Sequence, residues 1–267
     1  SSESQIKSSI QSVNKVEIRP NSMQQAALKN IERLRSRNEK KALIISATGT
    51  GKTHLSAFDV REFKPEKFLF IVHRRTIAEE SMKTYKDILG PELSMGIYSG
   101  SQQELEADYL FSTIQTLSRS EHLEKFAPDH FDYIVIDETH RAGADSYKRI
   151  LDHFEAKFLL GMTATPERTD GADIFQYFDH NIAYEIRLQG ALSAEMLSPF
   201  HYYGVTDLTI NDQEIDELTD FNLLTAHERV NRILEKAEFF GCDNGEIRGL
   251  IFCSRNEISV KLSEEFN

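Results

Sequence analysis

The sequence predicts an α/β fold, a parallel sheet covered by helices on both faces, and three observations lead to it. Short apolar runs alternate with helical stretches, from Ala42-Leu43-Ile44-Ile45 through Phe68–Val72, Tyr109–Thr113, Phe131–Asp137 and Lys157–Met162. Uninterrupted apolar strands of this kind are buried on both faces of a sheet. The first run passes directly into Ser46-Ala47-Thr48-Gly49-Thr50-Gly51-Lys52-Thr53, a strand, a phosphate-cradling loop and a helix start. The fourth run ends in two acids, Asp137-Glu138, where parallel strands present residues to a ligand crevice.

The residue types of the loop fit its chemistry. Gly49 and Gly51 let the backbone curl close to an anion, Lys52 supplies a cation, and Thr53 supplies a hydroxyl for Mg²⁺ at the N-terminus of a helix, where the dipole favours negative charge. The general pattern G-x-x-x-x-G-K-[ST] begins with Gly, whereas this loop begins with Ser46. Two carboxylates on adjacent strand residues point to opposite faces, so Asp137 and Glu138 serve one site only if the strand ends and the chain turns there; Arg141, Ala142 and Gly143 fit such a turn. In a chain with a phosphate loop, two such acids have separate roles. One holds Mg²⁺, usually through water, and the other orients and deprotonates the attacking water.

Bulk composition narrows the class. The 267 residues carry 31 basic and 43 acidic side chains, a net charge of −12, with 40% apolar residues. That is the composition of an ordinary globular protein, and it argues against a strongly basic surface as the whole basis of nucleic-acid binding. Backbone amides and a few local arginines can still hold phosphates on an acidic protein. The two cysteines, Cys242 and Cys253, lack metal-ligand spacing and point to reduced, cytoplasmic surroundings. No apolar stretch approaches the roughly 18 residues of a membrane span, so no membrane partner is expected.

Taken in order, residues 1–15 are rich in Ser and Gln and read as a linker or disordered segment. Asn21 or Ser22 caps a helix with Ala27, Leu28, Ile31 and Leu34 at helical spacing. On it Gln24 is a candidate for reading the N6 and N7 edge of adenine. Arg74, Arg75, Thr113 and Gln115 stand at strand ends, and Thr163-Ala164-Thr165-Pro166 forms a compact hydrogen-bonding turn. The texture changes from Asn181 onward. An acidic stretch from Asp207 to Asp220 reads as a solvated loop, because a calcium loop would need a Gly at its sixth position. A helix carrying Val230, Ile233, Leu234 and Ala237, a strand at Gly249–Ser254 and a helix start from Ile258 follow, too little to cover both faces of a second sheet.

These motifs, in this order, resemble those of superfamily 2 DEAD/DEAH-box helicases and translocases, and most closely the branch with the type III restriction enzyme (Res) subunits. The resemblance covers about residues 18 to 256. It implies a RecA-like P-loop NTPase fold, with a first ATP-binding lobe at 16–195 and, at 196–267, a linker and the incomplete start of a second RecA-like lobe. It further implies ATP and Mg²⁺ as cofactors, with Ala47 to Thr53 and Gln24 on the nucleotide and Arg19 flanking the base. Lys52 takes the phosphates, Thr53 and Asp137 the metal, and Glu138 the water. His140, Thr163 and Thr165 resemble the residues that relay nucleotide state to the nucleic acid, and Arg74, Thr113, Gln115 and Ser254 match nucleic-acid motifs. Asp137-Glu138-Thr139-His140 departs from the commonest box by its Thr.

The resemblance therefore implies an ATP-dependent helicase or translocase, on DNA more than RNA, with further domains of the same polypeptide. The later second-lobe motifs, including the arginine fingers, are not in this sequence, so the 267 residues alone are expected to turn ATP over poorly. The competing expectation is a nucleotide-gated clamp that grips nucleic acid without moving along it. Intact Lys52, Thr53, Asp137 and Glu138 favour the enzyme, since a pure clamp need not keep a water-activating acid.

Overall fold

A computed structural model of the chain describes residues 18–100, 102–138, 144–166, 174–203, 209–210, 213–214, 227–241, 249–253 and 256–266. His140 and Ser254 lie outside the described residues, as does the N-terminal segment through residue 17. The chain divides into two compact units, Ser1–Pro199 and Phe200–Asn267.

The first unit is built on an eight-stranded sheet. Numbered along the chain, its strands are β1 (Lys41–Ser46), β2 (Phe68–Val72), β3 (Met95–Ser99), β4 (Gln102–Gln103), β5 (Tyr109–Thr113), β6 (Tyr133–Asp137), β7 (Phe158–Thr163) and β8 (Ile182–Ile186). Their order is β4-β3-β5-β2-β6-β7-β1-β8, and every pairing but the short β3–β4 one is parallel. Helices α1 (Ser22–Ser36), α2 (Lys52–Phe63) and α3 (Arg75–Leu89) cover one face; α4 (Ile114–Leu117), α5 (Ser120–Leu123), α6 (Ala144–His153) and α7 (Ile174–Tyr177) cover the other. A short helix, α8 (Leu188–Ser193), follows β8. Successive strand residues feed the two cores alternately: Ile44, Phe70, Val135 and Leu160 on the α1–α3 side, Ile45, Ile71, Ile136 and Leu159 on the α6 side. The expected α/β sheet with both faces covered is what the chain forms.

Besides the two-residue β4, two strands of this sheet carry no strong sequence signal. β8 is an edge strand with a half-exposed burial pattern, so its Ile-Ala-Tyr-Glu-Ile run reads as mixed polarity, and β3 contains Gly96. Gly96 has a packing reason, because a Cβ there would sit 2.8 Å from the Glu104 Cβ.

A buried polar network ties the first core together. Arg35 on α1 makes a two-pronged contact to Asp59 on α2, at 2.7 and 2.8 Å, and the buried Tyr133 hydroxyl of β6 donates to the same carboxylate. The guanidinium also lies over the rings of Phe63 and Phe158. Burial, then the Asp59 carboxylate, push the Tyr133 hydroxyl well above its usual pKa, so it stays a neutral donor. Removing one member of such a network leaves the others buried without partners, which costs about 3–5 kcal/mol. Asp59→Ala is therefore expected to lower unfolding free energy by about that amount in urea titrations, and a loss under about 1 kcal/mol would show the network to be incidental.

In the second unit, α9 (His227–Phe240) and α10 (Asn256–Phe266) bury Val230, Ile258 and Leu262 together. A small antiparallel pair, β9 (Thr209–Ile210) with β10 (Gln213–Glu214), occupies part of the stretch expected as a solvated loop. The strand expected at Gly249–Ser254 is not formed over 249–253. Leu250 and Phe252 are exposed there, and among the described residues no strand lies alongside to hydrogen-bond them into a ladder.

Candidate nucleotide and nucleic-acid site

Strand order determines what can meet at the carboxyl edge of the sheet. β6, β7 and β1 are neighbours, with Asp137 opposite Met162 and Thr163 opposite Ile45. The phosphate loop, the acidic pair and the Thr163 turn therefore leave adjacent strand ends, although they lie far apart in sequence.

The loop runs from Ser46 into α2, with Gly49 and Gly51 in the left-handed region at φ 85° and 83°. A Cβ on Gly51 would come within 2.9 Å of Gln24 Nε2 and displace that amide, while the left-handed backbone angle itself calls for glycine. Ser46, where the general pattern has Gly, is fully buried, and its hydroxyl lies 2.5 Å from that of Thr50, which also donates to Ala47 O at 2.7 Å. The departure thus contributes a brace across the loop. Lys52 is buried at the first position of α2, and its ammonium donates to Ser46 O at 3.0 Å and Ala47 O at 3.3 Å. It is held inside the curl where an anion would sit. Thr48 is exposed on the loop, and Thr53 is half-buried in the first turn of α2.

Gln24 is buried and faces this loop. Its Oε1 accepts from Asn21 N at 2.9 Å while Asn21 Oδ1 accepts from Gln24 N at 2.9 Å, a reciprocal cap on α1. Its Nε2 donates to Gly51 O at 3.2 Å. These partners fix the amide orientation and leave one N–H and one lone pair, the pair needed for an adenine edge. Arg19 is exposed just ahead of α1.

At the acidic pair, β6 ends at Asp137 and the chain turns on the next residue. Glu138 takes φ 55° and its N–H donates to Asp137 Oδ1 at 3.0 Å. This turn brings both carboxylates to one end of the strand; Arg141, Ala142 and Gly143, which the sequence offers for a turn, lie outside the described residues. Burial, then the charge of Glu138, raise the Asp137 pKa to about 6, against the lowering effect of Lys52 and the Glu138 N–H. A folded-state pKa above the unfolded value of about 3.9 gives a contribution fully present below about pH 4 and lost as pH rises through about 6. In metal-free buffer at pH 8, Asp137→Asn is expected to stabilise the protein on the order of 1–3 kcal/mol, with the gain vanishing at pH 4. Equal unfolding midpoints for both proteins at pH 8 would contradict this environment for Asp137.

Thr163 is fully buried at the end of β7, and its hydroxyl bonds with Thr165 N and O at 3.2 Å each, the expected compact turn.

The other half of the edge holds the nucleic-acid candidates. Val72 pairs with Thr113, and Tyr98 with Ser112, so the ends of β2, β5 and β3 lie side by side. Arg74 is exposed at the N-cap of α3, and Gln115 is exposed in α4. Arg75 is committed to Glu79 at 2.8 Å and Gln102 at 2.5 Å. Thr113 is buried, with its hydroxyl 3.2 Å from Ser99 Oγ and 2.9 Å from Thr116 Oγ1, and Thr116 accepts from Gly100 N at 3.3 Å. Ser99, Gly100 and Thr116 had no distinguishing sequence pattern. Ser99 and Gly100 join this cluster because β3 pairs with β5, and Thr116 because it stands three residues after Thr113 in the first turn of α4.

A mostly parallel sheet with a phosphate loop, an acidic pair at the next strand ends and basic and amide side chains beyond defines a RecA-like lobe of the helicase class. Residues 17–168 match the family model "Type III restriction enzyme, res subunit", and the chain belongs to that family. It is 29% identical over 188 residues to the type I restriction enzyme EcoAI endonuclease subunit of Escherichia coli, covering 66% of this chain and 23% of that protein. To the DNA 3'-5' translocase XPB2 of Sulfurisphaera tokodaii it is 27% identical over 135 residues, covering 50% and 29%. The Pyrococcus furiosus Hef helicase domain shares the fold, with a TM-score of 0.52, 17% identity, and 90% of this chain and 52% of that one covered. The chain spans about a quarter of the length of these two curated relatives. ATP use by a helicase-type enzyme follows at the level of the family.

Proposed function

We propose that this lobe binds Mg-ATP and drives a helicase or translocase along DNA. The observation that supports it most is the division of one sheet edge. The β6-β7-β1 ends carry the phosphate loop and acidic pair, while the β2-β5-β3 ends carry Arg74, Gln115 and the Ser99–Gly100 turn. Thr163 stands at the end of β7, on the nucleotide half. DNA is favoured over RNA because one relative is named a DNA 3'-5' translocase and the matching family is that of a restriction enzyme subunit, against one relative named an RNA helicase.

The donor set suits a hard, oxygen-seeking cation. Thr53 and Asp137 would hold Mg²⁺, and the Asp137 carboxylate is desolvated, with the Lys52 ammonium as its cationic influence. When bound, the metal neutralises charge developing on the phosphoryl oxygens. Of the chain's own groups, Lys52 exchanges its two loop carbonyls for phosphate oxygens, Gln24 reads the base edge, and Glu138 takes the proton of the attacking water. His140 is proposed for the same relay as Thr163 and Thr165, and Ser254 for the strand's phosphates, on resemblance alone. The two cysteines favour a cytoplasmic setting.

Arginine fingers are worth on the order of 10³–10⁵ in rate. The 267 residues alone, whose sequence has no match to them, are proposed to hydrolyse ATP slowly. The test is steady-state Mg-ATP hydrolysis by the whole protein with and without DNA. Stimulation of about tenfold or more supports the proposal, and a rate indifferent to DNA and RNA alike would refute it.

A further inference from the structure

A cavity of about 410 Å³ adjoins the phosphate loop, and one of its walls comes from an unexpected part of the chain. Gln24 and Gly51 line it together with Glu195 and Met196. The latter two residues follow α8. Their position is enforced at several points. Ala47 N donates to Ile186 O at 3.1 Å, so the chain leaving β8 starts at the foot of the loop. Buried Ala191 anchors α8, Glu195 turns the chain at φ 55°, and Met196 N donates to Ala191 O at 2.9 Å. Leu197 then lies against the loop, where a Cβ on Gly49 would be 3.2 Å from its Cδ2.

Gln24 can read only an edge, because its remaining N–H and lone pair point in one plane. An edge reader discriminates only when the base is held by its faces. Among the residues that line the cavity with Gln24, Met196 has a side chain suited to covering a face. It is half-buried and unbranched, and it carries a polarisable sulfur that favours contact with aromatic rings. We propose that Met196 is a specificity-determining residue whose thioether covers one face of the purine base read by Gln24, with the turn after α8 as the outer wall of the base pocket. This rests on the reading of the cavity as the ATP site.

The experiment is calorimetric titration of the whole protein with Mg-ADP and with Mg-tripolyphosphate, which has phosphates and no base. Met196→Ala weakens Mg-ADP by about three- to tenfold and leaves Mg-tripolyphosphate within about twofold, while Met196→Leu restores most of the Mg-ADP affinity. Unchanged Mg-ADP binding by Met196→Ala would overturn the inference. Equal weakening of both ligands would also overturn it, because the turn would then act only by supporting the loop through Leu197. Lys52→Ala serves as the separate control: if it binds both ligands as tightly as the unaltered protein, the ATP-site reading fails, whatever Met196 does.

Discussion

Lys52→Ala in the whole protein is expected to reduce Mg-ATP turnover by about 10²–10³ and nucleotide affinity by about 10–100-fold. The ammonium is a buried cation already inside the loop, bonded to Ser46 O and Ala47 O. A phosphate entering the loop replaces two neutral acceptors by charged ones, and charge-assisted bonds are about twice as strong as neutral ones. Alanine offers neither arrangement. Rates measured at saturating ATP, with affinity measured separately, check both numbers, and a turnover within about threefold of the unaltered protein would remove Lys52 from the chemistry.

Glu138→Gln is expected to separate the two quantities that Lys52→Ala lowers together. Removing a general base lowers the chemical step by about 10²–10⁴. Binding should persist, because the amide keeps the shape of the turn at φ 55° and removes the like charge that, after burial, raises the Asp137 pKa. Single-turnover measurements should show ATP bound and unhydrolysed. Normal hydrolysis by Glu138→Gln would assign water activation to another group.

The parts of this site that could be read from sequence are those whose chemistry is local. Gly49, Gly51, Lys52 and Thr53 declare a phosphate loop within a few residues, and a continuous apolar strand announces its own end at Asp137. The fold class followed from the same runs, since five apolar strands alternating with helices have few other ways to bury both faces. What stayed hidden depends on pairing. β8 is half-exposed at the edge, so no apolar run marked it, and with it went the turn at Glu195 and Met196. Arg35, Asp59 and Tyr133 are a helix arginine, a helix acid and a strand tyrosine until the fold brings them together. Thr113 stood at a strand end as expected, yet its hydroxyl is turned to Thr116, one helical turn on, and to Ser99, a contact set by the β3–β5 register.

Gly249–Ser254 shows the converse: a short apolar run is read as a strand from local pattern, but a strand exists only with a partner. Residues 249–253 form none among the described residues, and Phe252 is 91% exposed.

Whether the lobe belongs to a motor or to a clamp is decided by movement, not by hydrolysis alone. The direct measurement is displacement of a triplex-forming oligonucleotide, placed downstream on duplex DNA, by the whole protein with Mg-ATP. ATP-dependent displacement that is lost in both Lys52→Ala and Glu138→Gln is the predicted result. Tight, nucleotide-dependent DNA binding with no displacement, of the triplex strand or of an annealed strand, would contradict the motor and leave the clamp.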